Sequence, residues 1–208
     1  MFFMDQRLKK WEAALIFGVL FALLSGVWLD GEQKALGEQV IRLHVIANSD
    51  SERDQALKLA VRDRVLDTAE TLYSSQATRA ESMEILSRNL SRMEEEGQLA
   101  VEEWGECYPV RAELTECWFP TKYYDGFALP AGEYTALRVV IGEGAGQNWW
   151  CVAFPPLCLG AVSETVEDAV TSGSFTPEQG ALMTGESGGY VLKFKSMELL
   201  GQLKHWLQ

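Results

Sequence analysis

The sequence predicts an α+β fold: a mainly antiparallel sheet with two N-terminal helices and a C-terminal helix, preceded by a hydrophobic export or anchor segment. Three observations carry that expectation. An alternating stretch, Val40 to Ala47, opens the folded part; two long stretches of helical periodicity follow it; a succession of strand-like segments comes last. A strand, then helices, then strands in a row lacks the regular β–α alternation of a parallel sheet.

The N-terminus shows the sharpest change in composition. Arg7, Lys9 and Lys10 precede a charge-free run from Ala13 to Leu29, and Asp30, Glu32 and Glu38 follow it. Basic flank, apolar run and acidic exit fit an export signal under the positive-inside rule. Seventeen residues of helix span roughly 25 Å, a little short of a ~30 Å hydrocarbon core. Residues 1–29 are therefore read as a signal peptide or a membrane anchor, the two left open, and 30–38 as a tether. Trp11 and Trp28 suit interfacial anchors. A run that is apolar all round fits a soluble core helix poorly.

Residues 39–208 form a single α+β domain. In its first strand Ile41, Leu43 and Val45 make an apolar face, while Arg42 and His44 make a polar one, the pattern of a half-buried strand. Asn48 to Ser51 stop the strand, and Ser49 and Glu52 have the spacing of a capping box. From Glu52 to Tyr73, Leu57, Val61, Val65, Ala69 and Leu72 recur at helical intervals. A second helix is expected over Ala80–Trp104, weakened at Gly97. Strands are expected at Tyr108–Glu116, Tyr134–Gly142 and Trp149–Phe154. Residues 161–189, with five acidic side chains and no basic one, read as a mobile loop. A strand at Tyr190–Phe194 and an amphipathic helix carrying Leu203 and Trp206 end the chain.

Charge and cysteine usage narrow the function classes. The net charge of −12, from 30 acidic and 18 basic residues, argues against nucleic acid, whose phosphates need a basic footprint. All four cysteines lie beyond the apolar run, so outside the cytoplasm they can form up to two disulfides in any of three connectivities. Cys107 with Cys117 and Cys151 with Cys158 would each close a short loop, worth roughly 2–3 kcal/mol. No C-x-x-C motif is present and the two histidines are far apart, so no metal is expected. No cofactor or small-molecule substrate is expected either.

No motif points to catalysis. Gly142–Gly146 looks like a phosphate loop, but an apolar strand-like run follows where a helix N-terminus is needed. Cys151 or Cys158 beside His44 or His205 would need a thiol-protease signature that the sequence lacks. Asn48, Ser49 and Asp50 could hold an anion at a helix N-terminus, although capping explains them more simply. Trp149 and Trp150 must face opposite sides of a strand. With Phe154 and Pro155-Pro156 they suit a protein-binding hot spot, sugar stacking, or burial under neighbouring loops.

Several of these stretches resemble one family. Ile41–Val65 (IRLHVIANSDSERDQALKLAVRDRV), Phe119–Thr121 (FPT), Leu129–Leu137 (LPAGEYTAL) and Asn148–Cys158 (NWWCVAFPPLC) are similar to the stage II sporulation protein R family. The resemblance covers about residues 39–160 and the hydrophobic N-terminus. Cys107 and Cys117 fall outside the family's pattern, and Gln147 stands where the family carries histidine. The resemblance implies a non-enzymatic signalling protein of endospore formation, exported into the space between forespore and mother cell. There it would activate a membrane-embedded aspartic protease that processes pro-sigma-E. The candidate partner contacts are His44, Asn48 and Asp50 at the strand end and Trp149, Trp150 and Phe154 in the aromatic cluster. The alternative is an extracytoplasmic module binding cell-wall glycan through exposed tryptophans.

Overall fold

The computed structural model describes residues 10–21, 24, 34–72, 77–124, 127–155 and 166–184. Within them β1 is Ile41–Ile46, α1 Glu52–Leu72, α2 Arg79–Arg88 and α3 Leu90–Glu103. Then come β2 (Val110–Phe119), β3 (Lys122–Tyr124), β4 (Phe127–Leu129), β5 (Gly132–Ile141) and β6 (Asn148–Phe154). Two short helices, α4 (Val166–Thr171) and α5 (Pro177–Thr184), close the described part.

The main sheet has the order β2-β5-β1-β6, and β3 pairs with β4 in a separate hairpin. β2 and β6 run antiparallel to their neighbours, but the two central strands, β1 and β5, are parallel. The sheet is thus mixed and not simply antiparallel. Periodicity assigns strands and faces, but strand order depends on where a long excursion returns. Here the chain leaves β1 through three helices, skips one position to lay down β2, and returns through the hairpin to fill the gap with β5.

α1 begins as the sequence suggests, with a different cap: the Asp54 amide donates to Ser51 Oγ at 3.1 Å, so Ser51 and not Ser49 is the N-cap. The single helix expected over 80–104 is two. Thr78 and Glu81 form a capping box that starts α2. Asn89 then leaves helical geometry at φ −116° and ψ 15°, its side chain donating to the Ile85 carbonyl at 2.7 Å. An Asn amide competes in this way for helix-end carbonyls. Gly97 lies where α3 meets the sheet; a Cβ there would sit 2.9 Å from Val110 Cγ1, so its smallness sets the packing distance.

Both sheet faces are covered. On one, Leu57, Val61 and Val65 of α1 and Met93 and Val101 of α3 pack on Leu43, Val45, Leu137 and Val139. On the other, Phe127 and Leu129 of β4, Val166 and Ala169 of α4, and Met183 of α5 join Leu36, Phe119 and Tyr134. This second cover changes three expectations. β1 is a central strand buried on both sides and not half-buried, with Arg42 0% exposed. Residues 166–184 of the expected mobile loop are helical and contribute to the core. Residues 34–37 of the expected tether form a helical turn that buries Leu36.

Residues 10–21 are helical, and Trp11, Phe17 and Phe21 there are exposed. Among the described residues no helix is long and apolar enough to cross a membrane. The rest of the apolar run, the strand expected at Tyr190–Phe194 and the C-terminal helix lie outside the described residues.

Candidate functional site

The second sheet face centres on Arg42. The alternation of β1 turns this side chain away from α1, toward the hairpin. Its guanidinium carbon lies 4.3 Å from the Phe119 ring centroid, 5.0 Å from that of Tyr134 and 5.8 Å from that of Tyr124. Nε donates to the Cys151 carbonyl at 2.9 Å and Nη2 to the Tyr124 hydroxyl at 2.7 Å, while Nη1 is buried without a hydrogen-bond partner. Aromatic faces attract a planar cation, and the cost of removing it from water makes each such contact matter. Tyr124 passes the link on by donating to the Trp150 carbonyl at 3.2 Å. The hairpin is thereby fastened across β1 and β6. Burial raises the pKa of the Tyr124 hydroxyl and pushes that of Tyr134 well above the usual tyrosine range, so both remain neutral donors.

His44, two residues on, is half-buried on the same face. Its Nε2 lies 2.9 Å from Asn148 Oδ1, and its ring stacks with Trp150 at 5.9 Å and 14°. Burial holds its pKa below the ordinary histidine value; the Asn148 hydrogen bond opposes this and the positive charge of Arg138 adds to it. Trp149 and Trp150 do face opposite sides of β6. Trp149, 37% exposed, carries the Arg62 guanidinium 4.5 Å from its ring. Trp150 carries Lys122 Nζ 3.9 Å from its ring. Phe154 is buried in the core and is no surface contact; at the β6 end its apolar ring gains more beneath the helices than in water.

Asn48 is half-buried and Asp50 is exposed, and each is bonded to the glycine loop. Asn48 Oδ1 accepts from the Glu143 amide at 3.0 Å, and Asp50 Oδ1 accepts from the Gln147 amide at 2.7 Å. Asp54 Oδ2 accepts from Ser49 Oγ at 2.5 Å and Asn48 Nδ2 at 2.9 Å. These hydrogen bonds, Ser49 first, hold the Asp54 carboxyl below its usual range. Lys58, buried beside them, donates to Gln55 Oε1 at 2.6 Å and the Gln147 carbonyl at 2.9 Å. The β1–α1 turn and the glycine loop after β5 are thus tied into one unit. The sequence context suggests a hairpin loop, but β1 lies between β5 and β6, so the loop instead crosses the end of β1, where the Ala145 and Gly146 amides donate to the Asn48 and Ala47 carbonyls.

The cysteines divide unequally. Cys151 is disulfide-bonded, whereas Cys107 and Cys117 are free, which corrects the expected pairing of those two. From Val110 to Cys117 the chain is an extended strand, separating the pair by about 3.3 Å per residue. A disulfide needs Cα atoms within ~7 Å. Cys158 lies outside the described residues. Among the described residues no group of His, Cys, Asp and Glu side chains could hold a metal ion.

Sequence reasoning placed His44 and the tryptophans correctly on the sheet but missed Arg42, Tyr124 and Lys122. One signal was available. A cation in the middle of an apolar strand, together with the aromatics of Phe119–Tyr134, is compatible with a buried cage as well as with a solvent face.

The sequence pattern of stage II sporulation protein R matches residues 37–164, the stretch holding both turns, the cage and β6. Stage II sporulation protein R of Bacillus subtilis (strain 168) is 36% identical over 159 residues, covering 71% of each chain. No solved structure matches. On the family pattern and this relative together, the chain belongs to the stage II sporulation protein R family.

Proposed function

We propose that the protein is an exported sporulation signal that binds a membrane-embedded aspartic protease and switches it on, so that pro-sigma-E is processed. It acts by contact, in the space between forespore and mother cell, and performs no bond-making chemistry. The match to the stage II sporulation protein R family over residues 37–164 carries this reading. Two structural features agree with it. In the polar cluster at the β1–α1 turn, Ser49 donates to Asp54 and Lys58 to the Gln147 carbonyl, so these groups are used in holding the fold together. The exposed apolar side chains of residues 10–21 suit a segment that enters lipid.

To activate, the domain must favour the active arrangement of the protease. A tenfold shift takes about 1.4 kcal/mol of differential binding, which a small interface can supply. Glycan binding has less support, because cations already lie against both tryptophan rings that a sugar would stack on. The test is co-expression with a sporulation aspartic protease and its pro-sigma substrate in a host lacking both. Cleavage that appears only with this chain is the expected result. A protease equally active without it would overturn the reading.

A further inference from the structure

Among the described residues, two cations at the seam between the β3–β4 hairpin and the sheet have no carboxylate partner. Arg42 is fully buried, its Nη1 without a partner. Lys122, half-buried, contacts the Trp150 ring, and among the described residues neither it nor Arg42 forms a salt bridge. The two are close enough that the Arg42 charge, after burial, helps depress the Lys122 pKa. In a chain of net charge −12, acidic side chains are abundant, yet the described ion pairs lie elsewhere, such as Arg64 with Glu103, Arg138 with Glu113 and Arg53 with Glu106. Like charges brought together away from water are costly unless an anion joins them.

We propose that the Lys122–Arg42 seam is a receptor for a carboxylate side chain, supplied by an acidic segment of the partner protein. This rests on the reading of the chain as a protein that acts by contact. Lys122 is the accessible member and meets the carboxylate. Arg42, buried behind it, is not itself reached but adds its positive charge to the one that the carboxylate meets. A compact ammonium suits a carboxylate as a point charge. Charge complementarity selects the partner's chemistry, since a neutral glycan offers this seam nothing.

The probe is the tripeptide acetyl-Gly-Glu-Gly-amide, with its Gln counterpart as control. It is added to the full chain in detergent at matched ionic strength, and the thermal midpoint is read. The Glu peptide should raise the midpoint by a few degrees, the Gln peptide should not, and Lys122→Gln should abolish the rise. Equal shifts from both peptides, an undiminished shift in Lys122→Gln, or no shift at all would overturn the site. A response to inorganic phosphate but not to the Glu peptide would overturn the carboxylate assignment. In the co-expression assay Lys122→Glu should lower processing at least tenfold while Lys122→Arg retains it. If the wild-type chain drives processing and Lys122→Glu does so equally, the site is wrong and the activator reading stands. If the wild-type chain drives none while the Glu-specific shift is present, the activator reading falls and the site stands.

Discussion

Asn48 donates from Nδ2 to Asp54 Oδ2 at 2.9 Å, so the strand end expected to meet a partner is bonded inward to the first turn of α1. Ser49 Oγ shares the same carboxylate oxygen. Hydrogen bonds to a charged acceptor are worth about 1.5–3 kcal/mol each, and removing the acceptor strands both donors. Asp54→Ala should therefore destabilise the fold by about 2–4 kcal/mol in urea denaturation at neutral pH. The folded-state pKa of Asp54 is depressed, so its contribution is complete above the unfolded value near ~4 and fades as pH falls through the folded one. The gap between wild type and Asp54→Asn should shrink on acidification below about pH 4. A gap that stays constant down to pH 2 would show that the carboxylate charge has no part in the lock.

Gly146 tests the same lock from the other side. A Cβ there would stand 2.2 Å from the Ser49 carbonyl oxygen, and its amide donates to the Ala47 carbonyl at 3.0 Å. Backbone cannot move aside as a flexible side-chain end can. Gly146→Ala should cost about 2–3 kcal/mol and release the loop, seen as faster hydrogen exchange at the Ala145 and Gly146 amides. Gly105→Ala is the contrast: no atom lies within 4 Å of its Cβ, but its φ of +74° limits the penalty to about 1 kcal/mol of left-handed strain. Equal effects would argue against the close approach.

Those contacts also mark what could be read in the sequence. The alternation of β1, the apolar stripe of α1 and the opposite facing of Trp149 and Trp150 are local consequences of period, and all are present. The partner of each face is a non-local fact. Alternation makes Arg42 look solvated because most charged strand residues are, but its cover comes from Phe119, Tyr124 and Tyr134, with Tyr124 lying 82 residues further on. Residues 166–184 look like loop because α4 and α5 are six and eight residues long, too short to establish a helical stripe. The parallel pairing of β1 with β5 has no local signature.

The cysteine assignment can be checked directly. In denaturant without reductant, two thiols per chain should titrate, those of Cys107 and Cys117. In the folded chain Cys107 is exposed and should react first. Burial raises the Cys117 thiol pKa, so less of the reactive thiolate is present at neutral pH and its modification should be slower. Four thiols in the denatured chain would contradict the disulfide at Cys151, and none would contradict the free pair.

Arg42 separates packing from charge at the centre of the second core. The side chain fills space against Phe119 and Tyr134 and also donates two hydrogen bonds. If packing dominates, Arg42→Met keeps most of the volume and should cost no more than about 1–2 kcal/mol, whereas Arg42→Ala leaves a cavity and should cost about 3–5 kcal/mol. Equal losses in urea denaturation would mean that the polar bonds hold the seam and the filled volume does not. Tyr124→Phe adds the second arm, since it removes the hydroxyl that Arg42 Nη2 meets at 2.7 Å. In a double-mutant cycle with Arg42→Met the two changes should couple by about 1–2 kcal/mol, because each removes the one hydrogen bond that the two residues share. Additive losses would show that the Arg42–Tyr124 hydrogen bond does not fasten the hairpin to the sheet.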